Sequence, residues 1–375
     1  MLSPLPCFHE TIKHEYFNQC LDQLHEIVTL KTSIGLVIVT GPTGAGKTTM
    51  REAFARELEI LAAPEIANNP ELIAYASCSV KAPGPTAFSW KDTYIQLLLS
   101  LYHPFAHSNL ERNPKSFASA ESFSASPDSL QRVTSDRLFR ILQRTINHRR
   151  PKAIFLDEAH HLLRLKSGHS VHNQLEHLKY IADETKTLHV LYGTYELIAL
   201  MDLSSPLIRR REIIHFPRYI YSPDNPKDSI EPFAKVVAEF ARDLDDFSEV
   251  SLLEEVYYYY QGSVGCVGVL RDWLFRAYSR TRYDKNQKIS KEILEATKLS
   301  PGDLYALLKD ARDGEDYFAK RNSKKKEYYE ALGFSIPESH SVIELGDIKK
   351  KPPRSPFKRK PHNDPVGLES LTPET

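Results

Sequence analysis

Few short patterns restrict the fold of a chain as strongly as the one between Gly41 and Thr48. This segment reads Gly41-Pro-Thr-Gly-Ala-Gly-Lys-Thr48 and matches GxxxxGK[ST] at every fixed position. An apolar run rich in β-branched residues, 34–40, precedes it, and a helical pattern begins at Lys47. A strand, a glycine-rich turn and a helix in this order place several backbone N–H groups around phosphate oxygens. The pattern therefore predicts an α/β domain with a phosphate-binding loop.

The same loop predicts a nucleotide site with ATP and Mg²⁺ as its cofactors. We expect Lys47 to reach the β- and γ-phosphates and the Thr48 hydroxyl to be a ligand of Mg²⁺. The alternative is a glycine-rich turn with a chance lysine, and the strand and helix on either side argue against it. The predicted ATP-binding residues of the loop are Gly41, Thr43, Gly44, Ala45, Gly46, Lys47, Thr48 and Thr49.

A second motif follows at Ala153-Ile-Phe-Leu-Asp157-Glu158, an apolar strand that ends in two acids. Asp157 is predicted to bind nucleotide through the Mg²⁺ ion, and Glu158 to act as the general base that polarises the attacking water. The alternative is a strand that ends in solvated acids. For His160 and His161, which follow, we expect solvated or packing roles rather than metal binding, because no other ligand is spaced to join them.

Two further elements have weaker patterns. Thr194 ends a strand and is predicted to orient the hydrolytic water, with a plain helix N-cap as the alternative. Arg209 and Arg210 precede another strand, where an arginine could cross a subunit interface and stabilise charge on a neighbour's γ-phosphate. Solvated arginines or a DNA contact remain open alternatives for this pair.

Alternating strands and helices indicate a doubly wound parallel sheet flanked by helices, followed by an all-helical part. We predict strands at 34–40, 72–77, 153–157, 189–192 and 212–216. A Ser/Pro/Ala-rich stretch at 113–128 is predicted to be a surface loop or insertion. The predicted organisation is an N-terminal helical lead-in (1–33), the α/β nucleotide-binding domain (34–219), a small α-helical lid with C-terminal helices (220–320) and a flexible basic tail (321–375).

Bulk composition restricts the function less than the motifs do. The 49 basic and 49 acidic side chains cancel, so any DNA binding must come from a local basic patch. The four cysteines form no CxxC pair, which favours reduced thiols in a cytosol. No apolar run reaches the length of a membrane span, and we expect a soluble cytoplasmic protein without a membrane partner. No acidic triad lies outside the nucleotide site, which disfavours a nuclease or transposase.

Taken together, the motifs resemble those of the AAA+ ATPases that regulate transposition in bacteria, the TnsC/TniB family of Tn7-like and CRISPR-associated transposons. The GTYEL, IHFPRY and CVGVLRDWL stretches make the resemblance more specific than the phosphate loop alone. The matching segments are GPTGAGKTT (41–49), FSWKDTY (88–94), KAIFLDEAHHLL (152–163), LYGTYEL (191–197), RRREIIHFPRY (209–219) and GSVGCVGVLRDWLFRA (262–277).

The resemblance implies an ATP-dependent switch that forms a homo-oligomeric ring or filament on duplex DNA. It also implies two protein partners, a transposase and a target-selection protein of the TniQ/TnsD type. Arg271 corresponds to a sensor arginine that binds nucleotide, although a surface arginine beside Asp272 is an equal alternative. Lys91, Arg132 and Thr134 correspond to DNA-binding loops, and the alternative for Lys91 is an ordinary lysine at a helix start.

Two other classes of function stay open at this point. One is a different initiator-like AAA+ ATPase. The other is a signalling NTPase switch that binds a protein and no DNA. Duplex binding that requires ATP and weakens as salt rises would argue against the signalling switch, because contacts to DNA phosphates release counterions.

Overall fold

The computed structural model describes residues 5–30, 34–82, 88–102, 131–164, 171–200, 210–283 and 288–333. By its internal contacts the chain divides into two compact units, 1–321 and 322–375. The predicted insertion at 113–128 and the basic tail beyond 333 lie outside the described residues.

Five parallel strands form one sheet in the order β2-β3-β4-β1-β5. This confirms the predicted α/β fold with a parallel sheet. The second strand begins three residues later than predicted, because Ile73 bonds to the end of a neighbouring helix through Arg149 and pairing with β3 starts only at Tyr75. The strands are β1 (Leu36–Thr40), β2 (Tyr75–Ser79), β3 (Ala153–Asp157), β4 (Leu188–Gly193) and β5 (Arg211–His215).

Helices cover both faces of this sheet, because side chains alternate along each strand. In β1, Val37 and Val39 face a core formed with α2 (Glu15–Thr29) and α3 (Lys47–Asn68). Leu36 and Ile38 face the opposite core. That second core includes side chains from α4 (Trp90–Tyr102), α5 (Ser135–Arg149) and α6 (Val171–Thr185).

The predicted lid is helical and has its own core around the fully buried Trp273. Its first helix begins at Pro226, in the first turn, where a missing N–H costs nothing, and Pro232 lies inside the helix. The short N-terminal helix α1 (Pro6–His9) packs into this core through Cys7. The lid helices are α7 (Pro226–Leu244), α8 (Val256–Ser263), α9 (Val267–Tyr283) and α10 (Lys291–Thr297).

Helix α11 (Pro301–Ser323) returns to the end of the sheet. Gly314 lies against the ring of Tyr195, where an added Cβ would come within 2.2 Å of the ring. Phe318 stacks on His215, with ring centroids 4.2 Å apart. Glu315 forms a buried ion pair with Arg218, whose Nε lies 2.8 Å from the carboxylate.

The remaining expectations have mixed outcomes. All four cysteines are free and buried, as expected for reduced thiols. Within the described ranges, no helix is both long and apolar enough to cross a membrane. In the second unit, α12 (Lys325–Ala331) is helical, although it lies inside the segment 321–375 predicted to be flexible.

We predict that Leu191→Ala lowers the free energy of unfolding by about 2–5 kcal/mol, because it leaves a cavity in the centre of the sheet. Leu191 is 0% exposed and lies on β4 between β1 and β3. Urea unfolding followed by circular dichroism measures the change. Ile60→Ala is the control, since Ile60 is 75% exposed on α3. Equal unfolding midpoints for the two variants would contradict the placement of Leu191.

Candidate functional site

The phosphate-binding loop joins β1 to α3 in a conformation that needs glycine. Gly44 and Gly46 have φ angles of 77° and 106°, in the left-handed region that favours glycine. The Gly44 carbonyl accepts a 2.7 Å hydrogen bond from the Gly268 N–H of the lid. The loop therefore contacts the lid through backbone atoms, and it leads directly into the start of α3, where the helix dipole favours an anion.

Lys47 lies at the beginning of α3, with its ammonium group curled back over the loop. Its Nζ donates hydrogen bonds to the carbonyl oxygens of Gly41, at 2.9 Å, and Pro42, at 2.7 Å. Burial lowers the pKa of Lys47 to about 8, although the nearby Asp157 and Glu158 oppose part of that shift. A bound phosphate would supply the negative charge that this lysine lacks.

The two acids predicted from the sequence lie at the end of β3, at the same edge of the sheet as the loop. Asp157 Oδ1 accepts a hydrogen bond from the Glu158 N–H at 3.0 Å. Its Oδ2 lies 3.1 Å from Nε of Arg51, and both side chains are largely buried. Arg51 also donates to the Ser77 hydroxyl at 3.1 Å. Sequence reasoning missed Arg51, which is one helical turn beyond the loop and pairs with the predicted metal ligand.

Thr194 follows β4, between the loop and the two acids. Its carbonyl accepts a 2.9 Å hydrogen bond from the Thr40 hydroxyl, which ties it to the start of the loop. Within the described part of the chain, its own Oγ1 is buried and has no hydrogen-bond partner. Thr194 directly precedes the short 3-10 helix Tyr195–Leu200, and its carbonyl accepts a hydrogen bond from the Leu197 N–H at 3.0 Å, so it holds the N-cap position. Its side chain makes no capping bond and lines the same cavity as Lys47 and Glu158.

The histidines after Glu158 lie closer to it than the sequence indicated. His160 is 7% exposed, and its Nδ1 lies 3.4 Å from the Glu158 carboxylate. Glu158, His160 and His161 present ligand atoms that all lie within 4.8 Å of one another. The expectation that no third ligand joins the histidines is wrong, because a left-handed residue at Glu158, φ 52°, turns its carboxylate back toward them.

A cavity of about 490 Å³ unites these groups. Its lining includes the predicted loop residues Thr43 to Thr49, together with Asp157, Glu158 and Thr194. Gly41 supports the lysine through its carbonyl and is buried behind the loop. The volume suits a small organic ligand, since pockets of this kind measure about 300–1,000 Å³.

The other wall of the cavity comes from two segments far apart in sequence. Arg271 of the lid lines it, as the sensor interpretation requires, and also pairs with Asp272 at 3.0 Å. His14 lines the opposite side, where its Nδ1 lies 3.0 Å from the Tyr219 hydroxyl. Burial lowers the pKa of His14 to about 4, so the ring is neutral near pH 7. The N-terminal residues that line the cavity, all missed by sequence reasoning, are Cys7, Glu10, Ile12, His14 and Phe17.

Of the two predicted interface arginines, the structure describes only Arg210, and Arg210 does not line this cavity. Arg209 lies outside the described residues. The Arg210 carbonyl accepts hydrogen bonds from the N–H groups of Gly35 and Leu36, at the start of β1. Arg210 therefore lies at the end of the sheet where the strands begin, about 16 Å along β1 from the loop. Its guanidinium pairs with Asp183.

The predicted DNA-binding residues come together at the beginnings of α4 and α5. Lys91 Nζ donates a 2.6 Å hydrogen bond to the carbonyl of Gln131, the residue before Arg132. Arg132 and Thr134 are both exposed. Behind them Trp90 donates to Gln174 at 2.6 Å, which fixes the start of α4 against α6. The structure thus forms one surface from residues that are about forty positions apart in sequence.

Comparison with known proteins gives the domain type. Residues 31–201 match the family model described as AAA domain. No curated protein matches the chain. Among solved structures, a Walker-type ATPase of Pyrococcus abyssi has a TM-score of 0.47 and 15% identity, over 90% of this chain and 89% of that one. The Aeropyrum pernix ORC2 protein (ADPNP-ADP complexes) has a TM-score of 0.47 and 12% identity, over 78% and 70%.

Cdc6p from Pyrobaculum aerophilum has a TM-score of 0.48 and 14% identity, over 78% of this chain and 69% of that one. The parallel sheet and the phosphate loop are those of a P-loop AAA+ fold, in agreement with the family model that residues 31–201 match. The domain match and the site together support a nucleoside triphosphatase.

We predict that nucleotide affinity is constant below about pH 8 and falls about tenfold per pH unit above it. The reason is that the free site then holds a neutral Lys47, which binding must protonate again. Calorimetric titration with an ATP analogue from pH 6.5 to 10 measures the affinity. Lys47→Arg is the control: its side chain stays charged, so its affinity should not fall above about pH 8. Lys47→Ala should lose binding. Undiminished affinity in Lys47→Ala would contradict the assigned site.

Proposed function

We propose that the chain is an ATP-dependent regulator of transposition that assembles on duplex DNA. It would hydrolyse ATP to ADP and phosphate, and would connect a target-selection protein to a transposase. The observation that carries the ATPase part is the convergence of the phosphate loop, Asp157, Glu158 and Thr194 on one cavity. The transposition part is supported by the motif combination at 191–197, 209–219 and 262–277.

Each side chain in the cavity has its own role in the proposed hydrolysis. Lys47 and the N–H groups of the loop would bind the β- and γ-phosphates. The Thr48 hydroxyl and the Asp157 carboxylate are oxygen ligands of the type Mg²⁺ prefers, and both line the cavity. Mg²⁺ bound there would neutralise phosphate charge. Glu158 would accept the proton of the attacking water, and Thr194 would orient that water through its unpartnered hydroxyl.

Arg51 neutralises the negative charge of Asp157 while the site holds no nucleotide. Its guanidinium compensates Asp157, a partly buried carboxylate that would otherwise be costly to hold without a cation. Since one Asp157 oxygen accepts from Arg51 and the other from a backbone N–H, ligation of Mg²⁺ would use the remaining lone pairs of that carboxylate.

Assembly is supported by the position of Arg210. A side chain about 16 Å from the loop would not reach the phosphates of its own subunit, so it would act only on those of a neighbour, after leaving its ion pair with Asp183. Such an arginine stabilises charge only when two subunits meet, which would make the oligomer depend on the γ-phosphate.

DNA binding is supported by the surface that Lys91, Arg132 and Thr134 form. Two cations and a hydroxyl suit phosphate contacts that do not depend on sequence, because none of them needs a base edge. At the C-terminal end of α5, the Arg149 carbonyl accepts a hydrogen bond from the Ile73 N–H, just before β2 begins. From there α5 extends roughly 20 Å back to its first residue. The surface therefore lies toward the end of the sheet where the strands finish, which is also the end that holds the nucleotide site.

We predict that Glu158→Gln keeps nucleotide affinity and slows hydrolysis at least about 100-fold, because the amide cannot accept the proton. Release of phosphate, measured with and without DNA, gives the rate, and calorimetry gives the affinity. Glu239→Gln on the surface of α7 is the control and should hydrolyse ATP normally. A rate equal to the parent's in Glu158→Gln would remove Glu158 as the base.

We predict that Lys91→Glu weakens duplex binding about tenfold and leaves ATP affinity unchanged, because it reverses one phosphate contact. Fluorescence anisotropy measures binding with a slowly hydrolysed ATP analogue, and electron microscopy of the same mixture shows whether rings or filaments form. Lys235→Glu, an exposed lysine on α7, is the control. Failure of the parent protein to bind DNA under any nucleotide condition would dismiss the DNA-bound regulator.

A further inference from the structure

Helix α5 has a concentration of positive charge that the functional motifs do not include. Its 15 residues contain four arginines and one acid, Asp136, in a chain whose overall charge is zero. Three of these arginines, Arg137, Arg140 and Arg144, are exposed. With 100° per residue, their side chains fall within roughly 60° of one another around the helix. We call these three residues the α5 arginine face.

The surrounding acids are occupied by other groups. Glu184 on α6 accepts a 2.7 Å hydrogen bond from Gln143, and Glu71 pairs with His148 at 3.1 Å. Asp136 lies about 100° around the helix from Arg137 but only about 40° from Arg140, so it borders the α5 arginine face. It also lies in the first turn, where the helix dipole favours an acid. Among the described residues, no ion pair joins an acid to any of the three arginines.

The apolar side of the helix holds this face rigidly outward. Leu138, Leu142 and Ile146 are at most 1% exposed and pack into the sheet core. Their spacing fixes the rotation of α5, so the arginines on the other side cannot turn inward. The face is therefore presented by a packed helix and not by a loop.

We propose that the α5 arginine face binds the phosphates of one DNA strand and extends the surface of Lys91, Arg132 and Thr134. The inference rests on the proposed DNA binding. From Arg137 to Arg144 the helix rises about 10 Å. A DNA strand carries one phosphate per about 3.4 Å of the duplex axis. A rise of about 10 Å spans about three such intervals, that is four consecutive phosphates. Three guanidinium groups on long side chains can therefore reach phosphates within one short stretch of the strand, and arginine binds phosphate with two N–H groups at once.

The continuity of the two surfaces favours DNA over an acidic protein. Arg132 and Thr134 immediately precede α5, and Arg137 lies in its first turn. A backbone that contacts Arg132 and Thr134 would pass the arginine face as it continues along α5. An acidic protein would need no such alignment with the nucleotide-dependent surface.

The test is the salt dependence of duplex binding by the full chain. The variant is Arg137→Gln/Arg140→Gln/Arg144→Gln, with a random-sequence duplex and a slowly hydrolysed ATP analogue. The slope of log K against log [KCl], between about 50 and 200 mM, should become less steep by roughly 2–3, since each phosphate contact contributes about 0.9. Affinity at about 100 mM should fall roughly tenfold or more.

A triple variant of equal charge change is the control: Arg56→Gln/Arg280→Gln/Arg312→Gln, three exposed arginines on other helices. Its slope should equal that of the parent protein. Circular dichroism and nucleotide affinity check the fold of both variants. If the triple α5 variant does not fold, Arg144→Gln alone should reduce the slope by about 1.

The outcomes separate the two proposals. A parent protein that binds DNA with a slope unaffected by the α5 changes would overturn the arginine face and leave DNA binding intact, whether or not the face then binds an acidic protein. Equal losses in the α5 variant and its control would also overturn it, because the effect would be one of net charge. A parent protein that does not bind DNA would overturn both proposals.

Discussion

The backbone N–H groups at the start of α3 need an anion, and most of the candidate site is arranged around that need. The helix itself leaves its first N–H groups without a partner, and the residues of its first turn, Lys47 to Thr49, line the cavity. Lys47 lies among them with a lowered pKa, held by the carbonyls of Gly41 and Pro42. The acids of β3 lie at the same edge because the carboxyl ends of parallel strands meet there. In the proposed function, phosphate would satisfy the lysine and the N–H groups, and Mg²⁺ would satisfy the acids.

The lid and the N-terminal segment depend on the same loop. The Gly44–Gly268 backbone hydrogen bond brings α9 onto the loop, and an added Cβ at Gly44 would come within 2.6 Å of Val269. Helix α1 packs against the lid core, so the chain before His14 is held where it lines the cavity. A ligand in this cavity would contact the sheet, the lid and the N-terminal segment at once. Its binding would therefore order three parts of the chain.

Much of the site followed from short patterns, and the rest did not. The phosphate loop, the five strands and the acids after β3 were predicted because apolar runs and glycine spacing are local properties of a sequence. Strand ends were displaced by up to three residues, since pairing partners decide them. Arg51 was missed because it appears in the sequence as one more polar residue of a predicted helix. Cys7 to Phe17 were missed because nothing in that segment indicates that it returns to a loop thirty residues later.

The sequence by itself determined which residue types lie around the phosphate-binding loop: a lysine, a hydroxyl and two acids, each at a fixed offset from a buried strand. That was possible because each offset is set by the geometry of one strand or one helix. Only the tertiary structure decided which charges meet. Arg51 with Asp157, and Lys91 with the residue before Arg132, are contacts between residues far apart in the sequence. Such contacts depend on how whole helices and strands pack against one another. The free energy of that packing comes from many side chains spread over the chain, so no short segment predicts it.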